Sequence, residues 1–188
     1  MSAAEAIAYT PDDLLTMPDG KHYELVDGEL RETTMGAEAE WVAGEVLASI
    51  RNRTTRPRHG WVFGAATGYQ CFADDPGKVR KPDVSFIRLG RLPNEEIPKG
   101  HIRIPPDLAI EVVSPQDAFS EVQAKVDQYL DAGVQLVWVI DPETRKVSVW
   151  RQDGSTAVLR ASQTLCGEDV VPDFTCSVAD LFPPSADS

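Results

Sequence analysis

Two near-continuous apolar runs, LAIEVV at residues 108–113 and LVWVI at residues 136–140, constrain this chain more than any other feature. Runs of this kind suit strands covered on both faces, as in the parallel sheets of α/β proteins. Parallel strands need a crossover connection of a dozen or more residues, and the stretch DAFSEVQAKVDQYLDAG between the two runs supplies one as a helix. Asp117 is its expected cap and Gly133 its C-terminal stop. The expected fold class is therefore α/β, a mixed β-sheet flanked by helices. One residue breaks the first run. A buried, unpaired Glu111 would cost several kcal/mol, against about 1 kcal/mol for the whole range of strand propensities, so this acid needs a partner.

The remaining elements follow from local signals. YTPDDLLTM reads as a short helix with Thr10 as N-cap and Pro11 in the first helical position. HYELVDGELRET reads as a hairpin about Asp27-Gly28, a pair suited to a type I′ turn. In AEAEWVAGEVLASIRNR, Trp41, Val42, Val46, Leu47 and Ile50 recur at helical spacing and predict a long amphipathic helix ending near Arg53. WVFGAATGYQCFA and KPDVSFIRL read as strands, and QLVWVIDPETRKVSVW as a strand pair whose turn begins at Asp141. The loop GRLPNEEIPKGHIRIPP carries four prolines, and loops of that length are often functional or mobile.

At 188 residues and 42% hydrophobic content, one domain over residues 10–182 is expected, between flexible ends at residues 1–9 and 183–188. No apolar stretch approaches the roughly 20 residues that span a bilayer. Three cysteines without CxxC spacing argue against a disulfide framework or a zinc site, which fits a reducing cytoplasm. The net charge of −12 works against non-specific attraction to nucleic acid, so any contact with DNA must be local. RNRTTRPRH, residues 51–59, and KVRK, residues 78–81, are the basic stretches available; a solvated helix end and loop explains the first equally well.

Two Pro-Asp pairs precede strands, Pro82-Asp83 and Pro106-Asp107. Asp107 lies four residues from Glu111 on one strand, roughly 13 Å away and too far to share a cation. Asp83 begins a separate strand and is the better partner. Two carboxylates within about 4 Å repel by about 4 kcal/mol at an effective dielectric of 20, so one takes a proton or a cation sits between them. Hard oxygen ligands favour Mg²⁺ or Mn²⁺, and such an ion suits phosphodiester hydrolysis. Glu111 paired with an arginine such as Arg80 or Arg103, and Asp83 as a simple strand-entry residue, are the structural alternatives.

Pro82-Asp83 followed by Glu111-Val112-Val113 resembles the PD-(D/E)XK nuclease signature, with Val113 where lysine usually stands. YELVDGEL, KPDVSFI, PDLAIEVVSP, KVDQYLDAG and VWVIDP together resemble the Uma-two family of bacterial restriction-endonuclease-like proteins, from about Asp13 to Phe182. The resemblance implies a restriction-endonuclease-like fold, with Asp83, Glu111 and the backbone carbonyl of Val112 as metal ligands. It also implies that the missing lysine has moved to Lys125. At about 100° per residue, Lys125 lies about 80° from the centre of the apolar face formed by Val122, Val126, Tyr129 and Leu130, a border position. From there its ammonium can reach the strand end. An i,i+4 surface pair with Glu121 is the alternative.

Glu24 matches an acid of the family's first hairpin and joins the catalytic candidates, although a cross-strand ion pair within the hairpin accounts for it as well. Glu40 stands near where the family often has a histidine, and Asp141 reads as a turn residue. His22, His59 and His101 show no metal-cluster spacing. The functional expectation is a Mg²⁺- or Mn²⁺-dependent endonuclease that cleaves DNA, with Asp83, Glu111 and Lys125 at its centre. Two other classes stay open: a catalytically silent DNA-associated or protein-interaction module, and a structural domain forming a homodimer through exposed strand edges.

Overall fold

The computed structural model describes residues 8–54 and 59–184. Along the chain run α1 (Pro11–Thr16), β1 (Tyr23–Val26), β2 (Glu29–Glu32), α2 (Ala37–Thr54), β3 (Gly60–Gly64), β4 (Val84–Arg88) and β5 (Leu108–Val112). They are followed by α3 (Phe119–Asp131), β6 (Leu136–Asp141), β7 (Lys146–Arg151), β8 (Thr156–Arg160), β9 (Thr164–Cys166) and β10 (Thr175–Ser177). Six strands form the central sheet in the order β3-β4-β5-β6-β7-β8, while β1-β2 and β9-β10 are separate hairpins. Only β5 and β6 are parallel, joined by the α3 crossover; every other neighbouring pair in this sheet is antiparallel. The sheet is thus mixed.

Strand alternation decides what each face of β5 meets. Leu108, Ile110 and Val112 pack with Val42, Val46 and Ile50 of α2 in the main core, together with Val84, Phe86 and Trp138. Ala109 points the other way and packs with Val126 and Tyr129 of α3. Glu111 shares that second face by period, so the acid in the apolar run is aimed at α3 and away from the main core.

The caps explain where the helices begin and end. Thr10 and Asp13 form a reciprocal capping box at α1. The hairpin turn is left-handed at both central residues, with φ of 53° at Asp27 and 77° at Gly28, as a type I′ turn requires. At the end of α3 the Gly133 N–H donates to Leu130 O and the Val134 N–H to Tyr129 O, a Schellman closure with Gly133 at φ 96°.

Several local expectations change. Asp117 does not cap α3: its carboxylate accepts the Ser114 N–H at 2.7 Å, and the N-cap is Ala118 without a side-chain bond. The tight turn after Pro115 captures the acid before the helix begins. Trp41 is 40% exposed, because the buried stripe of α2 runs through Ala39, Val42, Ala43, Val46 and Ile50. The strand expected across WVFGAATGYQCFA stops at Gly64, after which Tyr69 makes isolated bridges to Arg80 and Ile102. The proline-rich loop is packed, with Leu92 and Ile102 buried against Tyr69 and Ile87.

Asp107 anchors that loop. Its fully buried carboxylate accepts the Arg88 N–H at 2.8 Å and Arg88 Nε at 2.9 Å, and lies 3.0 Å from Arg91 Nη1. Residues 55–58 of the first basic stretch, residues 1–7 of the expected flexible start and residues 185–188 of the expected tail lie outside the described residues. At the near end of the start, the Tyr9 N–H donates to Gly28 O at 3.1 Å.

Candidate active-site groove

The second face of β5 opens at its C-terminal end into a groove of about 730 Å³ between the β1-β2 hairpin, residues 80–83 and the start of α3. Glu24, Arg80, Lys81, Asp83, Glu111 and Lys125 all line it. Register explains why two distant acids meet here. Val84 pairs with Ile110 in the antiparallel β4-β5 ladder, so one step further places Asp83 opposite Glu111 on the same face. The Asp83 Oδ2 accepts the Val112 N–H at 2.7 Å, which fixes the carboxylate at the strand end.

Each oxygen of Glu111 has a donor from α3. Lys125 Nζ lies 2.8 Å from Oε2, and Tyr129 Oη donates to Oε1 at 2.7 Å. Lys125 and Tyr129 are one helical turn apart, so a single helix face presents both. Glu24 is buried at 2% exposure: its Oε2 accepts Arg80 Nη1 at 2.7 Å and its Oε1 the Lys81 N–H at 2.6 Å. Arg80 also donates from Nε to Gln128 Oε1 at 2.8 Å, which ties the segment before β4 to α3. Lys81 turns away, its Nζ donating to Gly20 O at 2.6 Å.

The electrostatics follow from this crowding. Burial, and then the neighbouring Glu111 charge, hold the Asp83 carboxyl well above its ordinary value. Burial also raises Glu111, against the opposing pull of Lys125. Burial disfavours the Lys125 ammonium, but Glu111 and Glu24 outweigh it and the group titrates above the usual lysine range. Burial and the Glu111 charge likewise push the Tyr129 phenol up, so it remains a donor. Three acids, Glu24, Asp83 and Glu111, face two cations, Arg80 and Lys125.

Several alternatives for individual residues resolve. Among the described residues Lys125 pairs with Glu111 and Glu24, not with Glu121. Arg31, the cross-strand neighbour of Glu24, pairs with Glu29. Arg80 serves Glu24 directly and not Glu111. Glu40 is an exposed residue on the groove wall. Asp141 accepts the Thr144 N–H and hydroxyl within its turn. The KVRK stretch is turned inward: Lys78, Arg80 and Lys81 are all buried, with Lys78 bonded to Asp74. Tyr129 and Gln128 were not legible as site residues, although their i,i+4 and i,i+3 spacing from Lys125 was a usable signal.

A hard divalent ion is compatible with the donors present. Asp83, Glu111 and the Val112 backbone offer oxygen only, and Asp83 Oδ1 has no protein donor among the described residues. Among those residues, no group of three or more His, Cys, Asp or Glu side chains is arranged as a metal cluster, so a carbonyl or water must complete any such set.

A family model, Uma2, described as "Putative restriction endonuclease", matches residues 11–179. The chain belongs to the Uma2 family. The whole central sheet, the β1-β2 hairpin and every groove residue named above lie inside the Uma2 match. The fold is similar to that of a solved structure titled as a putative nuclease belonging to DUF820 from Anabaena variabilis ATCC 29413. The two share 24% identity with a TM-score of 0.76, over 93% of this Uma2 chain and 97% of that chain, which establishes the fold alone. No curated protein matches the chain. No helix among the described residues is long and apolar enough to cross a membrane.

Proposed function

We propose that this protein is a metal-dependent DNA endonuclease, hydrolysing phosphodiester bonds in the groove at the end of β5. The observation that carries the reading is the meeting of Asp83, Glu111 and Lys125, from three separate elements, in one polar groove. Asp83, Glu111 and the Val112 carbonyl would hold Mg²⁺ or Mn²⁺. When bound, that ion supplies Lewis-acid polarisation of a phosphoryl oxygen and a lowered pKa for its water.

The chain's own groups do the rest. Lys125, partly exposed on the groove wall, places a positive charge where the phosphorane develops negative charge. Its position on α3 makes good the Val113 side chain, which carries no charge. Tyr129 and the Val112 N–H hold Glu111 and Asp83 in fixed orientations, so the acids need not reorganise during reaction. Lys21 and Arg31 on the hairpin side of the groove offer cations to flanking phosphates despite the acidic overall charge.

One feature favours a second reading. The Lys125 ammonium already neutralises Glu111 at 2.8 Å without any metal, as a catalytically silent DNA-associated or protein-interaction module would need. Nicking of supercoiled plasmid with Mg²⁺ or Mn²⁺ separates the two. Cleavage by the wild type that falls at least about 100-fold in both Glu111→Ala and Lys125→Ala supports the nuclease. Cleavage that survives both substitutions comes from a contaminant and removes the assignment.

A further inference from the structure

Glu24 is the one buried acid of the groove without a task in the reading above. Its Oε2 accepts Arg80 Nη1 and its Oε1 the Lys81 N–H. A carboxylate has about four acceptor positions, so each oxygen retains capacity. Lys125 stands close by: its Nζ lies 3.9 Å from Glu24 Oε2, outside hydrogen-bond distance, while it is bonded to Glu111 Oε2 at 2.8 Å.

We propose that Glu24 is a second seat for the Lys125 ammonium, which leaves Glu111 for Glu24 when Glu111 ligates a divalent cation. This rests on the metal-dependent reading. An ammonium bonded to Glu111 and a dication on the same carboxylate repel each other, which favours moving the ammonium to a second acceptor. The lysine can yield cheaply. Its four-carbon stem is flexible, and closing the 3.9 Å gap to bonding distance takes a shift of about 1 Å. α3 itself need not move, because Tyr129 and Gln128 hold it through Glu111 and Arg80. Arg80 and the Lys81 N–H in turn keep Glu24 in place to receive the ammonium. The positive charge thus stays in the groove while an oxygen of Glu111 is released. Glu24 is then a positioning residue, acting through Lys125.

The test is Mn²⁺ affinity of the full chain by titration calorimetry, for the wild type, Glu24→Gln, Lys125→Met and the double variant. Glu24→Gln keeps an acceptor oxygen for one of its two donors, Arg80 Nη1 or the Lys81 N–H, and removes the charged seat, and Mn²⁺ affinity is expected to fall about tenfold. In the Lys125→Met background the same change is expected to alter affinity by no more than about twofold, a coupling that a purely structural role does not produce. Equal losses in both backgrounds mean that Glu24 acts independently of Lys125, on the cation directly or through structure, which overturns the inference alone. A wild type that binds no Mn²⁺ overturns the metal reading and the inference together. Should a variant fail to fold, a Mn²⁺-soaked crystal of the wild type decides: Lys125 Nζ bonded to Glu24 is the expected result, and Lys125 still on Glu111 overturns it.

Discussion

Tyr129 Oη donates to Glu111 Oε1 at 2.7 Å, on the oxygen opposite the one that Lys125 holds. The phenol is almost fully buried, so its hydroxyl has no water to fall back on. A hydrogen bond to a charged group inside a protein contributes about 1.5–3 kcal/mol. Tyr129→Phe is expected to cost about that much stability in urea denaturation. It also frees Glu111 to rotate, so kcat for plasmid nicking is expected to fall while KM for DNA holds. A variant with wild-type stability and kcat would show that the hydroxyl orients nothing.

Asp83 gives the chain a stability that depends on pH in the direction opposite to most surface carboxylates. Burial and the Glu111 charge raise its folded-state value above the ordinary 3.8. Between those two values the folded protein holds more protons than the unfolded chain, so stability falls as pH rises through that window. At pH 7, above the ordinary value, the raised titration of Asp83 opposes folding. Asp83→Asn keeps an acceptor for the Val112 N–H and removes the charge, and is expected to stabilise by about 0.5–2 kcal/mol at pH 7. The gain should shrink as pH falls and the wild-type carboxyl takes up its proton. Urea melts at a series of pH values check the trend, and a gain that grows towards acid pH contradicts it.

How much of this was legible in the sequence depends on the distance over which each signal acts. The β5-α3-β6 crossover was readable because both runs are apolar on two faces, and the β1-β2 hairpin because Asp27-Gly28 tolerates left-handed backbone. The border position of Lys125 on α3 was readable from helix period alone, since 3.6 residues per turn fixes angular position. Partnerships formed in three dimensions were not. Glu24 and Arg80 are 56 residues apart, and nothing local marks them as a pair. Tyr129 reads as a core aromatic, because ring spacing is the same whether or not its hydroxyl meets a carboxylate. Asp117 shows the converse: a good N-cap residue was claimed by a nearer donor, Ser114.

Asp107 separates stability from activity. Its carboxylate is fully buried and satisfies the Arg88 backbone N–H as well as two guanidinium groups. Both arginines are partly exposed and can turn to water, whereas the backbone N–H cannot follow them. Asp107→Ala is therefore expected to cost about 1–3 kcal/mol, the price of one orphaned buried donor together with weakened loop anchoring. Under conditions where the variant remains folded, nicking rate per folded molecule should match the wild type. A selective loss of rate would place Asp107 within the groove's chemistry.

Arg80 and Glu24 form the most deeply buried ion pair of the groove, at 10% and 2% side-chain exposure. Breaking such a pair from one side strands a charge and costs about 3–5 kcal/mol, while replacing both partners is often close to neutral. Arg80→Met alone leaves Glu24 with the Lys81 N–H and a lysine 3.9 Å away, and Gln128 without its donor. The expected loss is about 3–5 kcal/mol, and Glu24→Gln added to it should recover at least half of that. A double-mutant cycle by urea denaturation measures the coupling directly. If the two losses simply add, the pair contributes nothing as a pair, and Arg80 holds this groove together through Gln128 alone.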